Sequence, residues 1–312
     1  MLNDTGASAD VVIADVLDQF ARNFLLNDLS SAQSGKLLEA ARGGVVFQLP
    51  RREARRRDSD IGRVHQARVS VRRLRSVLRA FSRLFEPEWS VPLLVELSWY
   101  AGVLGEVRDL DVLRSGIVKS LWLVEDESLK SEIEVRLDRQ IHDAQERSAL
   151  ERATKRYALL VEEIATIGSS VALNPQAKGP AREVLGSQIK GAWRGVRKAS
   201  REARADSSNE NLHQLRIELK RLQCAGEVLG LVAGKPAVKM ARKAEKTQAK
   251  LGVVHDEAVA SAWLKSLTVA DPNWKTPLRE IRAFHEDARR EAKRGWRSAF
   301  DNVARTWDDL KS

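Results

Sequence analysis

Apolar positions along this chain recur every three to four residues over long stretches, while alternating apolar and polar runs are scarce. That period is the one a helix shows when one of its faces is buried. It predicts helices over 9–28, 45–57, 61–85, 90–121, 127–168, 181–205, 208–230, 236–268 and 274–310. Breaks are expected near Gly105 and Gly252, because a glycine inside a helix costs about 1 kcal/mol relative to alanine. Asp60 and Ser208 stand just ahead of two of these segments, where their side-chain oxygens can accept the first unpaired backbone N–H groups. Gly168, Ser169, Ser170, Asn174, Pro175, Gly179 and Pro180 cluster in one short stretch with the turn chemistry of a linker. The expected organisation is therefore a first helical unit over 1–170, a linker over 171–180 and a second helical unit over 181–312.

The two units repeat one another. Val64-His65-Gln66-Ala67-Arg68-Val69-Ser70-Val71-Arg72-Arg73-Leu74 aligns with Leu212-His213-Gln214-Leu215-Arg216-Ile217-Glu218-Leu219-Lys220-Arg221-Leu222 at an offset of 148. Leu104-Gly105-Glu106-Val107-Arg108-Asp109 aligns with Leu251-Gly252-Val253-Val254-His255-Asp256 at an offset of 147. Two blocks repeating at almost one spacing point to a duplicated helical unit with approximate two-fold symmetry.

Charge sharpens this picture. The 312 residues carry a formal net charge of +10, but residues 42–83 alone hold +10 and residues 190–250 hold +9, leaving −9 for the remainder. Clustering of this kind is the electrostatic footprint of a polyanionic partner. With 43% hydrophobic residues the chain can build a core, and 31% charged residues argue against a membrane protein. The longest near-apolar stretch, Val91 to Gly105, is shorter than the roughly 20 residues a spanning helix needs. The amino-terminal segment lacks a basic region followed by an apolar one, so no secretory signal is expected. Cys224 is the only cysteine, which excludes an internal disulfide and fits a reducing cytoplasm.

Periodicity places the charge on faces. Arg68, Arg72, Arg75, Arg79 and Arg83 lie within about 80° of His65 on a helical wheel, opposite Val71, Leu74, Val77, Leu78, Phe81 and Phe85. The second copy keeps His213, Arg216 and Lys220 together, with Gln223 in place of Arg75 and Glu227 in place of Arg79. Lys190, Arg194, Arg197, Arg201 and Arg204 form another one-sided row, as do Lys235, Lys239, Lys243, Lys246 and Lys250 with Arg242. Arg51, Arg52 and Arg55 are the less aligned counterpart in the first unit. Like charges at i, i+3 and i+4 repel by a few tenths of a kcal/mol per pair, and a bound anion of many charges would relieve them. The rows lack the aromatic side chains that stack single-stranded bases and the Asn and Gln that read base edges. Closely spaced phosphates without bases remain, held by arginine forks and lysine point charges.

VHQARVSVRRLRSVL and LHQLRIELKRL, followed by LGEVRD and LGVVHD, resemble the two signature repeats of the conserved histidine α-helical domain (CHAD) family over roughly residues 10–310. The resemblance implies an all-α fold of two helical bundles related by an internal pseudo-two-fold repeat, with a basic central cavity or channel between them. It also implies binding of inorganic polyphosphate and association with polyphosphate granules in the cytoplasm, with polyphosphate-metabolising proteins as further partners. The implied contacts are His65, Arg68, Arg72 and Arg73 in the first repeat and His213, Arg216, Lys220 and Arg221 in the second. The basic rows named above are expected to converge on the same channel. No cofactor and no membrane partner are expected, and nucleic acid enters only as a weaker polyanion competitor.

Other chemistries fit less well. His65 is followed at the helical ligand spacings by Arg68 and Val69, and His213 by Arg216 and Ile217, so neither is followed by a second histidine or a carboxylate there, and surrounding cations repel a metal ion. A phosphate hydrogen bond or a packing role is left for both, while His142, His255 and His285 lack a comparable basic setting. Asp109 and Asp256 are expected to be N-caps after the helix breaks, or partners holding a motif arginine. The stretch Gly230–Lys235 is one residue short of a P-loop and is followed by Pro236 rather than Ser or Thr. Glu132-Ile133-Glu134-Val135-Arg136 resembles the acidic motif of triphosphate tunnel enzymes but ends in arginine within a helical stretch. The expectation is a non-enzymatic binding protein, the alternatives being sequence-nonspecific nucleic-acid binding and an enzyme acting on polyphosphate.

Overall fold

The structure is a computed structural model that describes residues 6–28, 60–267 and 271–311, with the side chains of 60–64 and 311 excepted. Among these residues the chain forms nine α-helices: α1 (Ala9–Asp28), α2 (Asp60–Ala80), α3 (Pro87–Val118), α4 (Glu127–Arg152), α5 (Lys155–Ser170), α6 (Ala181–Ala205), α7 (Asn209–Ala233), α8 (Lys235–Ser266) and α9 (Lys275–Lys311). The all-α class read from periodicity is what the structure has. The helix expected over 45–57 lies outside the described residues.

Three differences from the pattern have physical causes. The helices α3 and α8 run without interruption through Gly105 and Gly252. Each glycine follows a leucine that is buried, Leu104 at 0% and Leu251 at 2% exposure, and such burial is worth about 1.5–3 kcal/mol, more than the glycine penalty. The segment expected as one helix over 127–168 is two, because Thr154 accepts the Tyr157 N–H at 3.2 Å and caps a new helix. The helix expected to reach 85 ends at Ala80, and a 3-10 turn over Ser82–Leu84 turns Phe81, Leu84 and Phe85 into the core ahead of Pro87. Ser208 does cap α7, accepting the Asn211 N–H at 3.3 Å.

Packing follows the apolar stripes. The helices α1 to α5 pack on one another, as do α6 to α9, and the sets meet chiefly where α2 lies against α7, α3 against α8 and α1 against α6. One large hydrophobic cluster takes residues from both sets, including Val71 and Leu74 of α2 and Leu215 and Leu219 of α7. A smaller one joins the end of α3 and start of α4 to the end of α8 and start of α9. Residues 171–180 are pinned to the first set, with Phe85 bridged to Leu173 and Ser8 to Pro180. At the end of α1 the fully buried Asp28 carboxylate accepts the hydroxyls of Tyr100 (2.6 Å) and Tyr157 (2.7 Å) and pairs with Arg152 (2.7 Å). Burial and the Asp28 charge push both phenols well above the ordinary tyrosine range, so they stay donors.

Candidate anion-binding site

The helix α2 folds with the two faces its sequence prescribes. Val71, Leu74, Val77, Leu78 and Phe81 are at most 2% exposed, while Arg72 and Arg79 face solvent and Arg68 and Arg75 are half-buried between. On α7, Leu212, Leu215, Leu219 and Leu222 enter the core, which leaves Arg216 and Lys220 half-buried and His213 exposed beside them. Because α2 and α7 pack together, the two basic rows meet.

Lys220 registers that meeting most strongly. Burial, then the charges of Arg216, Arg72, Arg68 and Arg75, push its ammonium down to about 8. Arg68 and Arg75 are also lowered, both mainly by burial. For Arg68 the Asp109 carboxylate opposes that shift while Arg108 and Arg216 add to it, and for Arg75 the neighbour is Arg79. Among the described residues, the Nε atoms of Arg75, Arg216 and Arg221 are buried without a hydrogen-bond partner. Unmet donors and crowded like charge are what a bound anion would relieve here.

Two carboxylates shape it. Arg68 donates to Asp109 on α3 at 3.1 Å, and Asp256 on α8 lies in the field of Arg216 and His255, its carboxyl raised chiefly by burial. Neither aspartate caps a helix, since both sit inside continuous ones. Of the two roles considered for them, partnership with a motif arginine is the one Asp109 has. The Arg216 guanidinium lies about 3.8 Å from the position a Cβ of Gly252 would take.

Sequence reasoning gave His255 no role, yet its ring stands 6.0 Å from that of His213, between α7 and α8. His213 is lowered by burial, then by His255, Arg216 and Lys220. The signal was available: in the second repeated block His255 occupies the place of Arg108, which itself adds to the field at Arg68. Among the described residues no group of three or more His, Cys, Asp and Glu side chains is arranged to hold a metal ion. His285 belongs elsewhere, buried with Nδ1 against Glu257 and Nε2 at 3.0 Å from the Ser120 hydroxyl. That trio resembles a hydrolytic triad, but Ser120 is 0% exposed and its hydroxyl donates to the Ile117 carbonyl at 2.7 Å.

The expected site residues divide into groups. His65, Arg68, Arg72, Arg75, Arg79, His213, Arg216, Lys220 and Arg221 sit on the paired helices α2 and α7. Arg73 is on the same helix but is engaged with Glu227 of α7, which also accepts from Gln223 at 2.8 Å. Glu227 thus shortens the second ladder and ties the two helices together. Lys190, Arg194, Arg197 and Arg201 are exposed along α6, behind which Trp193 stacks on Phe300 and Trp307 of α9. Lys239 pairs with Asp309 of α9 at 3.0 Å, and Arg242, Lys243, Lys246 and Lys250 share its side of α8. The α6 and α8 rows lie on the helix sides opposite the buried Ala192 and Ala199 and the buried Ala237 and Ala241 respectively, not on the α2/α7 pair itself. Arg51, Arg52 and Arg55 lie outside the described residues. Gly234, within the P-loop-like stretch, is the C-cap of α7 with φ 74°, a left-handed conformation glycine adopts without strain. The acidic-motif lookalike lies inside α4, where Arg136 pairs with Glu132.

Fold and site together define an all-α protein whose paired central helices carry a shared cationic centre. The chain belongs to the CHAD domain family, whose model matches residues 45–265. It is 27% identical over 218 residues to two uncharacterized proteins of Mycobacterium tuberculosis, MT2285 and Rv2226, a match covering 66% of this chain and 40% of theirs. The matched region thus spans well under half the length of those relatives. Among solved structures it resembles the CHAD domain from the plant Ricinus communis, with a TM-score of 0.69, 20% identity and coverage of 96% of this chain and 93% of that one. It also resembles PptA from Streptomyces chartreusis, with a TM-score of 0.64, 16% identity and coverage of 95% and 100%. At these identities the two structures speak to the fold. Among the described residues no helix is long and apolar enough to cross a membrane.

Proposed function

We propose that this protein binds inorganic polyphosphate at the α2/α7 centre, without catalysis, and that this binding directs it to polyphosphate granules. The observation that carries the reading is the convergence of Arg68, Arg72, Arg75 and Arg216 on Lys220, where burial first and then those four charges push the lysine down to about 8. A linear anion with a charge on every repeat answers such a cluster through many contacts at once, and arginine forks suit phosphate oxygens. Among the described residues the arginines lying over aromatic rings are Arg156, Arg204 and Arg297, none of them at the centre, which disfavours a base-stacking role. The offset-148 repeat supports a pseudo-two-fold site to which each half contributes one row.

Affinity is expected to fall steeply with added salt as counterions are released. The test is competition among long-chain polyphosphate, short phosphates and duplex DNA. Equal affinity for DNA would sink the polyphosphate reading in favour of nonspecific nucleic-acid binding. Phosphate release in the presence of Mg²⁺ would do the same in favour of an enzyme. Arg72→Glu with Lys220→Glu should abolish binding at this centre with helicity intact.

A further inference from the structure

The helix α8 presents two opposed polar stripes. Gln248, Gly252 and His255 face the centre: Gln248 donates to Gln223 at 2.7 Å, Gly252 underlies Arg216, and His255 faces His213. Lys239, Lys243, Lys246 and Lys250 form the other stripe, roughly 160° away at 100° per residue. This second stripe borders α9. At one end Lys239 pairs with Asp309. At the other, the Lys250 ammonium lies 3.1 Å from the position a Cβ of Gly295 would take, so the missing side chain makes room for it. A groove of about 620 Å³ opens there between α8 and α9, lined by Lys250, Arg294, Gly295 and the single carboxylate Glu291 among others. Among the described residues no ion pair engages Lys243, Lys246, Lys250 or Arg294.

The row therefore keeps more positive charge than its neighbours neutralise. From Lys239 to Lys250 it extends about 17 Å, at 1.5 Å per residue. A chain seated on the α2/α7 centre could reach it only by rounding α8, a body about 10 Å across, past the exposed Arg242, Glu245 and Ala249 on one flank, the other flank being buried through Met240, Ala244 and Leu251.

We propose that the α8/α9 lysine row is a second polyanion track, separate from the α2/α7 centre, so that one molecule holds two stretches of polyphosphate and cross-links chains. The proposal rests on the polyphosphate reading above. Two tracks on one body turn a binder into a bridge. Where both engage the same long chain, the second contact is intramolecular and raises the apparent affinity by about 10²–10⁴.

The experiment titrates the protein with a short polyphosphate no longer than the row, measuring stoichiometry, and mixes it with long-chain polyphosphate, measuring light scattering. Wild type is expected to bind two short chains per molecule and to give scattering with the long one. Lys243→Gln/Lys246→Gln/Lys250→Gln should bind one short chain and lose the scattering, and Arg72→Gln/Lys220→Gln should do the same through the other track. Circular dichroism controls for the fold, since Lys246 and Lys250 are exposed and Lys243 is half-buried. A wild-type stoichiometry of one, or a triple variant that still binds two, overturns the second track while leaving polyphosphate binding in place. A wild type that binds no polyphosphate at all overturns both.

Discussion

Replacing Lys220 with methionine should stabilise this protein while weakening its grip on anions. Methionine keeps the length and apolar stem of lysine, so the packing that half-buries the side chain is retained. What is removed is an ammonium that burial and four arginines oppose. Lowering its pKa from 10.5 to about 8 corresponds to roughly 3 kcal/mol at about 1.4 kcal/mol per pH unit. Part of the side chain remains in water, and screening reduces the recoverable amount to about 1–2 kcal/mol. The sign follows from linkage. Between pH 8 and 10.5 the unfolded chain binds the proton that the folded one has released, so the penalty on the native state fades as pH rises across that window. Below about 8 it is present in full, and above 10.5 it is gone. Urea unfolding of both proteins without anion should show the variant more stable by about 1–2 kcal/mol at pH 7, with the difference shrinking towards zero by pH 10.5. A variant less stable at pH 7 would refute the crowded-charge reasoning. A gain of the same size at both pH values would refute it too, since added apolar surface does not titrate. Long-chain polyphosphate added at pH 7 should stabilise wild type more than the variant.

Glu227→Gln removes the counter-charge of Arg73 between α2 and α7, and a cost of about 1–3 kcal/mol is expected for this partly buried pair. Added polyphosphate should recover part of it, read as a shift in thermal midpoint. Tyr100→Phe deletes one of the donors to the buried Asp28 carboxylate and should cost about 1–3 kcal/mol in urea unfolding, with anion affinity unchanged. Gly105→Ala places a Cβ where no atom lies within 4 Å, so a gain of up to about 1 kcal/mol is expected from helix propensity. A loss in that experiment would mean that the helix does break at Gly105.

Much of the architecture was legible because the apolar stripes are long and regular. The bounds of α1 and α6 coincide with the periodic segments 9–28 and 181–205, and the apolar face of α2 is the buried one. The misread points are places where a local preference was outweighed. Gly105 and Gly252 do not break their helices, because buried leucines beside them hold the chain in register. Thr154 divides a segment whose periodicity gives no sign of a turn.

The same division runs through the site. The sequence by itself determined which side chains form each basic row, because a row is a property of one helix and its period. Which rows meet was decided by tertiary packing, since it depends on how faces distant along the chain are apposed. That apposition gathers Arg68, Arg72, Arg75, Arg216 and Lys220, spends Arg73 on Glu227, brings His255 to His213, and turns the lysines of α8 towards α9. Two rows of equal charge are interchangeable along the sequence. They become different objects only when burial and neighbouring charges strip water from one and leave the other exposed, because the cost of a charge depends on its surroundings.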